Sequence, residues 1–99
     1  MEIRTNTDKH RFEAVVDGEV AGFVKYLVMP DGAYDLIHTE LDPAFQGQGV
    51  GGRLAAGAVE GVQAAGAHLI PSCPFIRKWM IKHPDTHGAL VPWVALVTD

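Results

Sequence analysis

The chain has 99 residues and a formal net charge of −4, with 47% hydrophobic and 20% charged residues. These values exclude a disordered chain and disfavour general nucleic-acid binding, which needs a basic face. The one cysteine excludes an internal disulfide, and no apolar run reaches the roughly 20 residues that span a bilayer. We therefore expect a single domain over residues 1–99, in the reducing cytoplasm, with no membrane or nucleic-acid partner.

Four stretches of the first half have the composition and alternation of β-strands. The predicted strands are Ile3–His10, which would be a weak edge strand, Arg11–Val16, Glu19–Met29 and Tyr34–Leu41. Asp17-Gly18 favours a two-residue hairpin turn between the second and third strands. The third strand, Glu19–Met29, is apolar on both faces, which predicts a central strand covered on both sides.

A glycine-rich segment from Gln46 to Arg53 joins the last of these strands to a predicted helix, Arg53–Ala65. Glycine has no Cβ, so a bulky group can approach the main chain, and the first amides of a helix lack intrahelical partners. This combination is typical of a phosphate-binding loop. A ridge of small residues predicts that the helix packs closely on the sheet, and Gly66 suits its C′ position. The ridge consists of Gly57, Gly61 and Ala65.

The second half of the chain adds a strand and another helix. The strand predicted over Ala67–Ser72 should run parallel to Tyr34–Leu41, because a helix connects the two. A second helix is predicted over Phe75–His83, with Pro74 at its first position. The apolar tail Gly88–Val97 predicts a last strand. The sequence therefore indicates an α/β fold in which an antiparallel meander is followed by a loop, a helix, a strand and a helix.

Two familiar nucleotide-binding patterns fit this loop poorly. Gly47-x-Gly49-x-x-Gly52 has the dinucleotide spacing, but that site needs a parallel βαβ unit and an acid roughly 20 residues further on. Here an antiparallel meander precedes the loop, and no acid lies between Glu60 and Asp85. A Walker loop needs Gly-Lys-Ser/Thr, where this chain has Gly52-Arg53-Leu54. The histidine and cysteine spacings are irregular and give no metal motif.

The pattern Gln46-x-x-Gly49-x-Gly51, between a meander and a helix, resembles the GNAT superfamily of acyl-CoA-dependent N-acetyltransferases. The resemblance implies a compact acyltransferase fold, with acetyl-CoA as co-substrate and the coenzyme A pyrophosphate on the loop amides. It also implies that the strand before the loop splays from its neighbour and pairs its backbone with pantetheine. The implied coenzyme-binding residues are Thr39, Leu41, Gln46, Gln48, Gly49, Val50, Gly51, Gly52 and Arg53. Of the basic residues Arg53, Arg77, Lys78 and Lys82, we expect one or two to reach the coenzyme's phosphates.

A closer likeness is to the small single-domain GNAT-like family typified by bacterial YjdJ-type proteins. It rests on the run Ile37–Phe45 into the loop, on Pro71–Ile76 and on Lys82-His83-Pro84. Members of that family often carry an aromatic residue, commonly tyrosine, just after the His-Pro-acid segment. This chain has Thr86 there, so the resemblance implies no tyrosine general acid at that position.

Transfer to an amine is helped by a base, because an alkyl amine with a pKa of about 10.4 is protonated at neutral pH. His38 and Glu40 are the candidates, since regular alternation places them on one face of their strand, together with Leu36. The alternative is that His38 is a packed polar residue of the core and Glu40 a surface charge.

Cys73 is the candidate nucleophile at the end of the strand predicted over Ala67–Ser72. Members of the small family carry a cysteine here that resembles a catalytic one. A thiolate at this point could accept the acyl group by thioester exchange and then pass it to the amine. The alternatives are that Cys73 is inert packing, as buried cysteines often are, and that the amine attacks acetyl-CoA directly.

These features together predict an acetyl-CoA-dependent N-acetyltransferase. The predicted acceptor is a protein or peptide lysine or N-terminus, or a small amine, and the protein is expected to be a monomer without a metal. The alternative function is a non-catalytic coenzyme A-binding sensor or interaction module, which would keep the loop without a working base. A purely structural domain would leave the glycine density of the loop unexplained.

Overall fold

The computed structural model describes residues 1–94 and Leu96. Its five-stranded sheet follows chain order: β1 Glu2–Asn6, β2 Arg11–Val16, β3 Glu19–Val28, β4 Tyr34–Leu41 and β5 Leu69–Ile70. Two α-helices complete the framework, α1 Val50–Ala64 and α2 Pro74–Ile81, and 3₁₀ turns span Pro43–Phe45 and Pro84–Ala89. The predicted α/β architecture is therefore present, with the elements in the predicted order.

The meander of β1 to β4 is antiparallel throughout, as predicted. The hairpin turn between β2 and β3 has Asp17 and Gly18 at φ of 50° and 80°, which is the left-handed backbone that a type I′ turn requires. The edge strand β1 ends at Asn6, four residues before the predicted limit. The strand β3 is central, with β2 on one side and β4 on the other.

One extra residue in β4 interrupts its alternation. Lys25 of β3 pairs with His38, whereas the next residue, Tyr26, pairs with Leu36, so Ile37 forms a β-bulge. Beyond the bulge the side chains change faces. Leu36 therefore lies on the same side of β4 as Thr39, and the prediction that it shares a face with His38 and Glu40 is wrong, because that prediction assumed an unbroken strand.

Both helices pack on the same face of the sheet and join it in one apolar cluster. The largest of its fully buried side chains are Phe12, Leu36, Leu54, Leu69, Ile76 and Met80. No helix of the described residues covers the opposite face, which carries Lys25, Leu27, His38 and Glu40 and is called the open face below. Because Leu27 is 43% exposed there, the prediction that β3 is covered on both sides is wrong.

Glycines bring α1 unusually close to the sheet. A Cβ at Gly61 would lie 2.5 Å from Phe12 Cε1, and one at Gly57 would lie 2.5 Å from Ile3 Cγ2. The predicted close packing is therefore confirmed. The helix ends in a Schellman motif, with Gly66 at φ 72° donating to Gln63 O. It begins at Val50, three residues before the predicted start, so part of the glycine motif belongs to its first turn.

The strand β5 is shorter than predicted, because only two residues of Ala67–Ser72 pair with β4. The pairing is parallel, as predicted. The helix α2 begins at Pro74 and ends two residues before His83. In place of the strand predicted over Gly88–Val97, the described residues form the end of a 3₁₀ turn and a single bridge from Leu90 to Leu69. Ala95 and Val97 lie outside the described residues. No helix within residues 1–94 is long and apolar enough to cross a membrane.

Candidate active site

The glycine loop presents the bare N-terminus of α1. Its N-cap residue, Gly49, has φ of 74°, and Gly47 before it has φ of 84°, conformations that favour glycine. The cap makes no side-chain hydrogen bond, and the first turn contains no acid. The amides of Val50, Gly51 and Gly52 therefore lack intrahelical partners at the positive end of the helix dipole. A phosphate group fits such a position.

The two glycines of the first helical turn serve different purposes. A Cβ at Gly51 would lie 3.1 Å from Phe75 Cζ and 3.2 Å from Leu41 Cδ1, so this glycine lets α1, α2 and β4 meet. A Cβ at Gly52 would have no neighbour within 4 Å among the residues that the structure describes, so the backbone there is open to a ligand. A cavity of about 420 Å³ lies against the loop, and we call it the loop cavity. Its lining includes Leu41, Pro43, Phe45, Gln46, Gly49 and Val50.

The strands β4 and β5 part well before β4 reaches this loop. β5 pairs only with Tyr34 and Asp35 of β4, and the Cys73 amide then donates to Leu36 O at 2.8 Å. At the far end of β4, the Asp42 amide donates to Ala21 O of β3 at 2.8 Å. By alternation, Thr39 and Leu41 direct their backbone groups away from β3, towards an edge that no described strand occupies. An extended ligand with amide groups can add to such an edge as a strand would.

Cys73 lies where the two strands part, as the N-cap residue of α2. Its side chain is 4% exposed, and its Sγ lies 3.2 Å from Thr39 Oγ1. This contact places the thiol on the helix-covered side of β4, beside the side chain of Thr39. The thiol is therefore enclosed by protein in the absence of ligand.

His38 and Glu40 form a pair on the open face. His38 Nε2 lies 3.2 Å from Glu40 Oε1, and the two side chains are 55% and 62% exposed. His38 is therefore not a packed residue of the core. The structure brings the two base candidates together, as the sequence predicts, but it places them on the opposite side of β4 from Cys73.

The predicted basic contacts lie on exposed parts of the two helices. Arg53 follows the loop directly in α1, and Arg77 and Lys78 lie in the first half of α2. The helix starts touch through Gly51 and Phe75, which brings both sets of bases to one end of the molecule. Arg77 Nη2 lies 3.4 Å from Ser72 O. The remaining predicted coenzyme contacts, Gln46 and Gln48, are exposed in the loop.

A buried carboxylate that the sequence did not predict organises the open face. Glu13 is 1% exposed and accepts hydrogen bonds from Arg4 Nε at 2.9 Å, Asn6 Nδ2 at 3.1 Å and Arg11 Nε at 2.6 Å. Burial raises the pKa of Glu13, but these hydrogen bonds outweigh it and lower the pKa to about 2. The sequence feature that could have indicated this pair is the spacing of Arg11 and Glu13, since residues two apart share one face of a strand.

A second cavity, of about 280 Å³, opens on the same face, and we call it the open-face cavity. The residues that line it include Arg11, Val20, Phe23 and Glu40. The Arg11 guanidinium lies 4.3 Å from the centroid of the Phe23 ring. The loop cavity and the open-face cavity share Leu41 and Asp42 in their linings, so they meet at the end of β4.

Two of the histidines near α2 cap that helix. His83 Nδ1 lies 2.7 Å from Trp79 O, and His87 Nε2 lies 2.7 Å from Met80 O, so both rings can donate to its last carbonyls. Within residues 1–94, no three side chains of the metal-ligating types gather into a possible metal site.

Comparison with known proteins identifies the family. The family described as GCN5-related N-acetyl-transferase matches residues 11–89, most of the chain. The chain belongs to this family. A solved ribosomal-protein-alanine N-acetyltransferase from Brucella melitensis biovar Abortus 2308 resembles it with a TM-score of 0.52 and 22% identity, over 90% of this chain and 69% of the other. Among curated proteins, none matches the sequence.

Membership of the GCN5-related N-acetyltransferases confirms the predicted family and, with the structural likeness, the predicted fold. In this family the co-substrate is acetyl-CoA. The uncapped amides of the loop suit a pyrophosphate, and the free edge of β4 suits a pantetheine arm. At 22% identity, the solved enzyme supports the fold of this chain and says nothing about its acceptor.

Proposed function

We propose that the protein transfers an acetyl group from acetyl-CoA to a primary amine. The observation that carries the proposal is the adjacency of two features, the uncapped N-terminus of α1 and the free edge of β4 at Thr39 and Leu41. The first suits a pyrophosphate, and the second suits the amides of a pantetheine arm. Family membership supports acetyltransferase activity. We further propose that the protein is a cytoplasmic monomer, in keeping with its unpaired, buried Cys73.

The chemistry that we propose is direct transfer with His38 as the general base. The amine gives a proton to His38, and its nitrogen attacks the thioester carbon. A C–N bond forms, the C–S bond breaks, and coenzyme A leaves as a thiolate that takes up a proton. Glu40, 3.2 Å from His38 Nε2, orients the imidazole. Both side chains are open to an incoming acceptor.

The rival route passes the acetyl group through Cys73. Its thiolate would attack the acetyl carbon, release coenzyme A and then yield the acetyl group to the amine. The position of Cys73 where β4 and β5 part is compatible with this route. We favour direct transfer because the thiol is 4% exposed and faces the helices, whereas the base pair faces solvent.

The test is calorimetric titration with acetyl-CoA, with free coenzyme A and NAD as comparison ligands, followed by a transfer assay with a panel of amines. We expect acetyl-CoA and coenzyme A to bind, NAD not to bind, and at least one amine to be acetylated. Binding without any transfer would favour a coenzyme A sensor. The absence of acetyl-CoA binding would overturn the proposal.

A further inference from the structure

We infer that the open-face cavity is the acceptor site and that it takes the side chain of a lysine, a protonated amine on an unbranched apolar stem. The inference rests on the proposed function. It is carried by three properties of the cavity: an apolar wall, carboxylates at one end, and a shared boundary with the loop cavity.

The apolar wall suits a chain of methylene groups. Val20 and Phe23 line the cavity, and Gly22 between them adds backbone without a side chain. Phe23 is held in place by the Arg11 guanidinium, 4.3 Å from its ring centroid. Burying a hydrocarbon stem against such a wall is favourable at roughly 25 cal/mol for each Å² removed from water.

The charges of the cavity suit an ammonium group. Among the described residues of its lining, Arg11 carries the one positive charge, and it shares the Glu13 carboxylate with Arg4, so that end of the cavity stays cationic. Glu40 and Asp42 remain at the other end as carboxylates. Asp42 uses one oxygen to cap Ala44 N, and within the described part of the chain Glu40 pairs with the exposed His38 alone. A cation is therefore attracted to the end of the cavity where the proposed base lies.

The shared boundary brings amine and coenzyme together. Leu41 and Asp42 line both cavities, with the coenzyme on one side of the end of β4 and the acceptor on the other. An ammonium beside Glu40 is next to His38, which takes its proton. The acceptor thus approaches from the open face, opposite to the enclosed thiol of Cys73.

The apolar wall also distinguishes a lysine side chain from an N-terminal α-amine. An α-amine is attached directly to its peptide backbone, so its entry would carry a peptide N–H and C=O against Val20 and Phe23. Burying those groups without hydrogen-bond partners costs free energy, whereas a butyl stem carries no polar group. A polyamine would bring a second ammonium to a cavity end that already holds Arg11.

The test compares acceptors and variants at saturating acetyl-CoA. The acceptors are N-acetyl-lysine methylamide, an alanyl peptide with a free N-terminus and no lysine, and spermidine. We expect the lysine amide to have the highest kcat/KM. Phe23→Leu and Asp42→Asn should each raise its KM by roughly tenfold, which corresponds to about 1.4 kcal/mol, and Phe23→Leu, which lies outside the loop cavity, should leave the Kd for acetyl-CoA unchanged. Leu27→Ala, on the same strand and face but outside the cavity lining, is the matched control and should change neither value.

A higher kcat/KM for the alanyl peptide or for spermidine would overturn the inference, and so would unchanged KM values in both cavity variants. Titration of N-acetyl-lysine methylamide into ¹⁵N-labelled protein without coenzyme tests the cavity by itself. Changes in amide chemical shift are expected to centre on Val20, Phe23 and Glu40. Changes centred elsewhere would contradict the assignment of the acceptor site. Because this readout needs neither acetyl-CoA nor turnover, it separates failure of the acceptor site from failure of the proposed function.

Discussion

Thr39 Oγ1 lies 3.2 Å from Cys73 Sγ, at the point where β4 and β5 part. The hydroxyl and the thiol satisfy each other, and the Cys73 amide is also engaged, with Leu36 O. Cys73 thus contacts β4 through both its side chain and its backbone while it caps the start of α2. Its neighbours are those of a packed residue, while the polar pair that faces solvent lies one residue to each side of Thr39.

Replacement of Cys73 tests which route the reaction takes. We expect Cys73→Ala to keep kcat within about tenfold of the unaltered protein, because direct transfer needs no thiol. Intact-mass analysis of the unaltered protein with acetyl-CoA should show no stable gain of about 42 Da, the mass that an acetyl group adds. A loss of roughly 10³-fold together with such an adduct on Cys73 would establish the rival route instead.

Replacement of His38 tests the base. We expect His38→Gln to lower kcat by roughly 10²- to 10⁴-fold, the usual contribution of a positioned base, and to leave the Kd for acetyl-CoA unchanged. Steady-state kinetics and calorimetry measure the two effects. His68→Gln, an exposed histidine before β5, is the control and should retain full activity. An active His38→Gln protein would remove His38 from the mechanism.

The substitution Gly52→Ala should separate stability from binding. A methyl group at Gly52 meets nothing within 4 Å, so the helix should gain up to about 1 kcal/mol in free energy of unfolding. The same methyl group would stand where the phosphate approaches, so the Kd for acetyl-CoA should rise by roughly tenfold. Thermal melting and calorimetry are the measurements. Gly88→Ala, also in open space but outside the loop, should leave the Kd unchanged.

The same change at Gly61 should have the opposite effect on stability. Its Cβ would lie 2.5 Å from Phe12 Cε1, and Phe12 is a 1% exposed residue of the close-packed core. We expect Gly61→Ala to lower the free energy of unfolding by about 1–3 kcal/mol, despite the better helix propensity of alanine. Urea unfolding measures the change, with Gly52→Ala as the matched substitution in the same helix. A stabilised Gly61→Ala protein would show that the helix can move outward.

Stability should fall in acid because of Glu13. Its pKa is lowered from 4.5 to about 2 on folding, so the stabilisation is fully present above pH 4.5 and is lost as the pH falls towards 2. This group alone accounts for up to about 3 kcal/mol of the free energy of unfolding. Urea unfolding at pH 7 and pH 3 should show a smaller pH dependence for Glu13→Gln than for the unaltered protein. The exposed Glu60→Gln should behave like the unaltered protein.

The sequence predicted the order of the elements because their signals are local. The turn at Asp17-Gly18, the glycines before and after α1, and Pro74 at the start of α2 each specify the backbone within a few residues. The bulge at Ile37 could not be foreseen, because it depends on how β3 and β4 pair across the sheet. For the candidate site, this meant that the grouping of His38 with Glu40 was predictable, but the side of the sheet from which they act was not.

The exact ends of the helices and strands, and the burial of polar side chains, were the other features that the sequence did not predict. The start of α1 at Val50 places two glycines inside a helix, against their intrinsic propensity, because Gly51 must pass close to Phe75 and Leu41. The burial of Glu13 depends on Arg4 and Asn6 in a neighbouring strand, so the spacing of Arg11 and Glu13 alone could not show that three donors enclose this carboxylate. The open-face cavity likewise combines residues of three strands, so only the assembled sheet reveals it.

The charged network around Glu13 also bears on how molecules of this protein meet one another. β1 is the outer strand of the sheet, and no other described strand pairs with its far side. Such an edge invites another chain to add a strand, and charged side chains discourage it. Glu2 and Arg4 line this strand, and Glu13 holds Arg4 in place. A strand from another molecule that paired with β1 would desolvate these charges, which costs free energy. The Arg4–Glu13 contact therefore both stabilises β1 in the sheet and disfavours the addition of a further strand.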